Sequence, residues 1–268
     1  MVLGIPRRGF LRVALGALGV GLLSGCARVM SWVLRADNSK FTPVSHSFET
    51  SDLCALNAEA VPGPFYVEKA WVRRSIAEGH AGVPLRVRFK VVDVAAGCAP
   101  LPGAAVEVWH CDAEGIYSGY ASYPPDEFPA VGLGDAPDPT DGERFCRGIQ
   151  FADAEGMVEF ETIVPGWYTP RTPHIHMRVS MPRVTADDGT LGAHVLTNQA
   201  YFPDALTAEV YGVSPYTARG GTPYTNQTDF VIHESGGADG GFLRMTRTGE
   251  GWLGTLTLGV DIDAGRTT

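Results

Sequence analysis

The chain has 268 residues, of which 44% are hydrophobic and 19% are charged, so it is long enough to bury a large core. The formal net charge of −9 argues against a nucleic-acid-binding protein, because such proteins need a basic surface. The 33 glycines and 19 prolines, together with short apolar runs, favour an all-β domain with many turns over a helical one.

Residues 1–26 are typical of an export signal. Arg7 and Arg8 precede a short apolar run and resemble a twin-arginine signal, and the run ends in LLSGC, which resembles a lipoprotein processing site at Cys26. The alternative is an uncleaved N-terminal anchor helix. Either interpretation places the rest of the chain outside the cytoplasm. In the first, lipid on Cys26 is the membrane attachment and residues 27–50 form a polar tether.

Residues 51–268 are expected to form a single β-sandwich with elaborated loops. The first strand, LRVRFKVVDV at 85–94, alternates apolar and basic residues, as a half-buried antiparallel strand does. The other predicted elements are strands at 104–112, 157–164, 174–181, 194–202, 228–234 and 253–260, one helix at 205–212 and a long loop at 118–143. Loops of that length in compact domains are usually functional or disordered.

Four cysteines follow the export signal, namely Cys54, Cys98, Cys111 and Cys146. An even number in an exported chain is compatible with two disulfides in any of three pairings. A chain that folds in the reducing cytosol before export would instead keep buried free thiols. The sequence contains no CxxC spacing, so a zinc ribbon is not expected.

The stretch VPGWYTPRTPHIHMRV carries the strongest chemical signal. His174 and His176 are two residues apart, so on a strand both imidazoles point to one face and can reach one metal ion. Without further ligands, one buried and one exposed histidine would explain the pair equally well. Tyr168 lies just upstream, and Tyr117 follows an earlier strand.

Phenolate oxygen suits Fe³⁺ better than softer divalent ions, and a trivalent charge favours the ionised phenol. Two tyrosinates and two neutral histidines would leave a ferric site with one net positive charge. The alternative is that Tyr117 and Tyr168 only pack, with their hydroxyls hydrogen-bonded.

Six stretches between residues 63 and 202 resemble the intradiol ring-cleavage dioxygenases, in particular an exported branch similar to the protocatechuate enzymes. They are GPFY, GVPLRVRFKVVD, PGAAVEVWHCDAEGIYS, RGIQFADAEGMVEF, IVPGWYTPRTPHIHMRV and LTNQAYF. The resemblance implies a β-sandwich with one non-haem Fe³⁺. It assigns the four metal ligands to Tyr117, Tyr168, His174 and His176.

The resemblance also implies a reaction. A small aromatic diol, protocatechuate or a related catechol, would bind the ferric ion as a dianion, and O₂ would cleave the ring between the two hydroxyl-bearing carbons. The product would be a cis,cis-muconate-type diacid. Tyr117 would leave the metal to act as a base, and Arg171 would stabilise the electron-rich ring. Gln199, Tyr66 and Trp167 are the other candidate substrate-binding residues.

Two departures from the family pattern are visible. Pro62 stands where the family often has an acidic residue, and the gap between His176 and Gln199 is longer than in the protocatechuate enzymes. Trp109 is interpreted as a packing residue. His110 is interpreted either as a residue that supports the ligands or as a histidine at the end of a strand, and not as a ligand itself. An oligomer is compatible with the sequence.

Two other functions remain open. The first is a non-catalytic β-sandwich module that binds iron–catechol or aromatic ligands at the cell envelope, and consumption of O₂ distinguishes it from the enzyme. The second is a zinc hydrolase built on the two histidines, which lacks a third ligand and leaves both tyrosines unexplained.

Overall fold

The structure is a computed structural model that describes residues 54–69, 71–127, 137–181, 191–234, 241–249 and 251–263. The predicted export signal, the tether and Cys26 lie outside these ranges, as does the middle of the predicted loop at 118–143. None of the helices in the described ranges is long and apolar enough to cross a membrane.

The described residues form nine strands and three short helices. The strands are β1 (Pro84–Asp93), β2 (Ala99–Pro100), β3 (Ala105–Trp109), β4 (Arg147–Phe151), β5 (Met157–Ile163), β6 (His174–Ser180), β7 (His194–Tyr201), β8 (Arg244–Arg247) and β9 (Trp252–Val260). The helices are α1 (Asp204–Val210), α2 (Tyr216–Arg219) and α3 (Phe230–Glu234).

The strands make two sheets that pack as a sandwich, which confirms the predicted all-β class. One sheet has the order β2-β1-β9-β8, with β5 also paired to β1, and the other has the order β4-β3-β6-β7. The core lies between them, where Val87 and Phe89 of β1 are buried in the same cluster as Val106 of β3 and Met177 of β6. These residues follow the period of two that the sequence shows, because alternate side chains of a strand point to one face.

One predicted strand is wrong. Residues 228–234 were expected to be a strand, but Phe230–Glu234 form α3. A short apolar run such as FVI is compatible with either a strand or a helix. Here the preceding residue, Asp229, favours the helix. Asp229 accepts hydrogen bonds from the backbone N–H of Val231 at 2.9 Å and of Ile232 at 3.2 Å, which is N-capping geometry. Strands β2, β4 and β8 and helix α2 were not predicted, whereas the helix expected at 205–212 corresponds to α1.

The cysteines divide between the two alternatives. Cys54 and Cys98 form a disulfide, whereas Cys111 and Cys146 are buried free thiols. Burial raises the pKa of Cys146 to about 12 and that of Cys111 well above its ordinary value, so both thiols stay protonated and unreactive.

The disulfide fixes the start of a segment, residues 54–62, that crosses from one sheet to the other. The N–H of Asn57 donates to Gly259 O of β9 at 3.0 Å, and the side chain of Asn198 in β7 donates to Ala58 O at 2.8 Å. This segment therefore leads the chain to Gly63 on the outer face of the β4-β3-β6-β7 sheet.

Candidate metal centre

The two histidines project from β6 away from the sandwich core. Ile175, Met177 and Val179 of β6 are buried in the core cluster, so His174 and His176 lie on the outer face of the sheet. The strand register forms one row across all four strands of this sheet, made of Arg147, Trp109, His176 and Gln199. The structure thus places both imidazoles on one face, as their spacing predicts.

The two imidazoles converge on one point. Their Nε2 atoms are 3.0 Å apart. Nδ1 of His174 lies 2.6 Å from the carbonyl oxygen of Thr172, which can only accept a hydrogen bond, so Nδ1 carries the proton and Nε2 presents a lone pair. Burial, reinforced by the charge of Arg171, lowers the pKa of both histidines well below its ordinary value. Both are therefore neutral, which is the form that binds metals.

Two tyrosines from loops complete the cluster. Tyr168 places its Oη 3.4 Å from Nε2 of His174. The ring of Tyr117 lies 5.5 Å from that of Tyr168 and 6.2 Å from that of His176. The buried Oη of Tyr117 has no hydrogen-bond partner in the described part of the chain. Burial raises the pKa of Tyr168 to about 12 and that of Tyr117 well above its ordinary value.

This donor set fits a hard trivalent cation. Two imidazole Nε2 atoms and two phenol oxygens meet in a buried space, and a cation there would offset the burial that keeps the phenols protonated. Within the described ranges, no three or more His, Cys, Asp or Glu residues group around a potential metal position. A zinc site built on His174 and His176 with an acidic third ligand is therefore not formed by these residues.

Arg171 lies beside the cluster in a fixed orientation. Its Nε donates to Asp229 Oδ2 at 2.9 Å, and its Nη2 donates to Gln199 Oε1 and, at 3.5 Å, to Tyr201 Oη. Its Nη1 lies 3.5 Å from Nε2 of His174. Burial lowers the pKa of the guanidinium, but the neighbouring phenol and carboxyl groups raise it by more, so it remains charged.

The other predicted substrate-binding residues occupy different positions. Gln199 lies beside His176 and is held by its donation to Val61 O at 3.0 Å. The ring of Tyr66 packs edge-on against Trp109 at 5.0 Å, and its hydroxyl meets Glu107 and Arg178 rather than the two histidines.

Trp167 faces another space. The guanidinium of Arg219 covers its ring at 4.0 Å. It lines a cavity of about 490 Å³ together with residues of α1, α2 and the segment 220–225. The four predicted metal ligands are not among the residues that line this cavity.

Sequence reasoning missed several residues of the site. Phe65 stacks on Tyr117 with ring centroids 4.5 Å apart and meets Tyr168 edge-on at 5.6 Å. Phe65 belongs to the GPFY motif, from which the sequence analysis selected Tyr66 as a candidate substrate-binding residue and not Phe65. Trp109 does pack, as expected, yet it packs flat against His176, with centroids 5.0 Å apart and planes 3° apart. This contact fixes the plane of the imidazole.

His110 lies just after the end of β3, and its ring nitrogens contact protein groups other than the four candidate ligands. Its Nδ1 lies 2.7 Å from Cys111 O and its Nε2 lies 2.8 Å from Thr162 Oγ1, so both ring nitrogens are occupied. It is completely buried, and burial lowers its pKa to about 4.

Gly63 brings its backbone close to His176. Its φ is +72°, and a Cβ at this position would lie 3.1 Å from Cε1 of His176. Gly79 also has a positive φ, +84°, but a Cβ there would meet nothing within 4 Å. Alanine at Gly79 would introduce backbone strain alone, whereas alanine at Gly63 would introduce the same strain together with a contact to His176.

We expect Gly63→Ala to weaken ferric-ion binding about tenfold or more, because the methyl group displaces a ligand whose position must be held closely. Gly79→Ala is expected to cost only the left-handed strain of about 1–2 kcal/mol and to leave binding unchanged. Titration with ferric ion, followed by visible absorbance and thermal unfolding, measures both effects. Equal metal affinity in the two variants would contradict the importance of this contact.

Comparisons with known proteins identify the family to which the chain belongs. A family model described as "Dioxygenase" matches residues 61–205. The structure of an intradiol ring-cleavage dioxygenase from Tetranychus urticae is 30% identical, with a TM-score of 0.66, and the alignment covers 78% of this chain and 95% of that one. The dioxygenase domain of a dioxygenase–carbohydrate-binding fusion from Streptomyces sp. SirexAA-E is 26% identical with a TM-score of 0.52, covering 78% and 99%.

A catechol 1,2-dioxygenase from Candida albicans is 28% identical over 200 residues, which cover 66% of this chain. The chain spans about half the length of this curated relative, 54%. The family match extends over more than half of the 268 residues and includes all four candidate ligands together with Arg171 and Gln199. The chain therefore belongs to the intradiol ring-cleavage dioxygenase family.

Proposed function

We propose that the protein uses one non-haem Fe³⁺ to cleave a catechol-type aromatic, protocatechuate or a related diol, with O₂ to a cis,cis-muconate-type diacid. The supporting observation is the cluster in which two neutral imidazoles, with Nε2 atoms 3.0 Å apart, face two buried phenols next to a charged arginine. The names of the relatives, an intradiol ring-cleavage dioxygenase and a catechol 1,2-dioxygenase, support the same chemistry.

Four residues would hold the ferric ion: Tyr117, Tyr168, His174 and His176. When bound, the ion would supply Lewis acidity toward the two oxygens of the diol. Tyr117 is the residue assigned to accept a proton from the substrate. Its Oη lacks a hydrogen-bond partner among the described residues, so the hydroxyl loses no hydrogen bond when it moves or takes up a proton, whereas its ring gives up the stack on Phe65.

The remaining residues of the site orient Arg171 toward the cluster and shield the candidate ligands from water. The Nη1 edge of Arg171 faces the cluster, so its charge stabilises negative charge that develops on the ring. Gln199 and Tyr201 fix the Nη2 edge of the same guanidinium. Phe65 and Trp109 cover the ligands with apolar rings, which limits the access of water to them.

We further propose that the enzyme is exported by a twin-arginine-type signal and anchored at the cell envelope through lipid on Cys26, where it would meet external aromatic compounds. The support is the sequence alone, with Arg7 and Arg8 before the apolar run and LLSGC at its end. Cell fractionation of a Cys26→Ser variant tests the anchor. Unchanged recovery of that variant with the membrane fraction would contradict it.

The central experiment adds catechol or protocatechuate anaerobically to the iron-loaded protein and then admits O₂. We expect a tyrosinate-to-iron absorption band that shifts with the diol and bleaches in air, with one O₂ consumed per diacid formed. A shifted band without O₂ consumption would instead identify a binding module. A protein that remains colourless after ferric ion is added would contradict the assignment of the ligands.

A further inference from the structure

The carboxylate of Asp229 joins two parts of the site. Asp229 has 0% of its surface exposed. Its Oδ2 accepts hydrogen bonds from Arg171 Nε at 2.9 Å and from the backbone N–H of Thr172 at 2.8 Å. Its Oδ1 accepts the N–H groups of Val231 and Ile232 at 2.9 and 3.2 Å. One side chain therefore connects the loop that carries Arg171 to the first turn of α3.

These contacts leave Arg171 a single orientation. The guanidinium is a planar fork, so fixing Nε on Asp229 and Nη2 on Gln199 and Tyr201 also fixes the direction of Nη1. Nη1 is the edge next to His174, at 3.5 Å from its Nε2. If Asp229 no longer held Nε, the guanidinium could rotate and carry Nη1 away from the cluster.

The charge of Asp229 has a second effect. An uncompensated guanidinium this close to His174 would repel a cation bound there, and a buried charge without a partner is itself costly. Asp229 forms an ion pair with Arg171 in which both side chains are almost completely buried, 0% and 3% exposed. The pair supplies a directed N–H edge to the site with little net charge.

We propose, on the basis of the proposed function, that Asp229 is a positioning residue that aims Nη1 of Arg171 at the reacting diol. Asp229 does not itself contact the diol. Its effect is on the transition state, because the oriented N–H edge of Arg171 stabilises the ring as negative charge builds up.

Two substitutions separate this role from the capping of α3. Asp229→Asn keeps the size of the side chain, but its single oxygen can no longer serve four donors, so either the Arg171 loop or the helix loses its acceptor. Asp229→Ser retains a good N-cap but is too short to hold the guanidinium as well. The matched control is Asn226→Ala, which removes hydrogen bonds to Thr172 Oγ1 and Phe202 O and leaves the Arg171–Asp229 pair intact.

The test compares iron-loaded wild type with the three variants. We expect Asp229→Ser and Asp229→Asn to lower kcat about 10- to 100-fold. KM and the anaerobic affinity for the diol, read from the shift of the absorption band, should change only a few-fold, and the band of the resting protein should be retained. Asn226→Ala should lower the unfolding temperature while its kcat remains close to that of wild type.

Two results would overturn the proposal. One is an unchanged kcat in Asp229→Ser. The other is loss of the iron-dependent band in both Asp229 variants, which would mean that Asp229 only maintains the fold. A wild-type protein that consumes no O₂ in the parallel assay would count against the proposed function itself. Because the wild type is assayed before the variants, this outcome is distinguished from a failure of the proposal about Asp229.

Discussion

His176→Gln is expected to abolish the stabilisation that ferric ion gives to the folded protein. A ligand that binds only the folded state raises the free energy of unfolding by about 4 kcal/mol when present at a thousand times its Kd. For a domain of this size that corresponds to roughly 8–16 °C in unfolding temperature. His176 is fully buried and its Nε2 lies 3.0 Å from that of His174, so its loss removes one of the two imidazoles that meet in the cluster.

Thermal unfolding with and without chelated ferric ion measures this effect, and turnover of catechol should fall by more than about a thousandfold in the same variant. His194→Gln is the control, because His194 is a partly exposed residue of the adjacent strand that pairs with Glu59 at 3.3 Å. It should retain the full iron-dependent shift. A normal shift in His176→Gln would exclude this residue as a ligand.

Tyr117→Phe is expected to change stability in opposite directions with and without iron. In the metal-free protein, the buried hydroxyl of Tyr117 makes no hydrogen bond of normal length among the described residues and interacts with the Tyr168 hydroxyl at a longer distance. A polar group left in that state is costly, so its removal should raise the free energy of unfolding by about 1 kcal/mol. In the iron-loaded protein, on the proposed function, the same change would remove a phenolate ligand and lower both stability and turnover.

The measurement is chemical denaturation of wild type and variant in both metal states. Tyr120→Phe is the matched control, because Tyr120 belongs to the same aromatic cluster but donates its hydroxyl to Tyr66 O at 2.9 Å and to Pro137 O at 3.1 Å. It should destabilise the protein equally with and without iron. A metal-free Tyr117→Phe protein that is less stable than wild type would show that the hydroxyl is already satisfied.

The strands and the histidine pair were predictable because both depend on local periodicity. Alternation of apolar residues located β1, β5, β6 and β9 to within one or two residues. The same period of two placed His174 and His176 on one face. The tyrosines were different, because Tyr117 and Tyr168 lie in loops without a periodic pattern. They were identified only when ligand chemistry and the resemblance to a family were added.

What the sequence did not show depends on contacts between distant segments. Phe65 lies 52 positions before Tyr117, and nothing local indicates that the two rings stack. Asp229 lies 58 positions after Arg171, and the run that follows it was taken for a strand. The division of four cysteines into one disulfide and two buried thiols likewise follows from tertiary structure, because spacing alone does not specify the pairing.

The position of β9 also bears on how the chain reaches its native state. Strand β9 lies between β1 and β8, and it pairs in parallel with β1 from Leu85–Trp252 to Asp93–Val260. The sheet therefore cannot close until residue 260 has left the ribosome. Until then β1 has an open edge that can pair with another chain, and contacts this distant in sequence form slowly. The growing polypeptide should consequently be prone to aggregation until the segment that forms β9 has been synthesised.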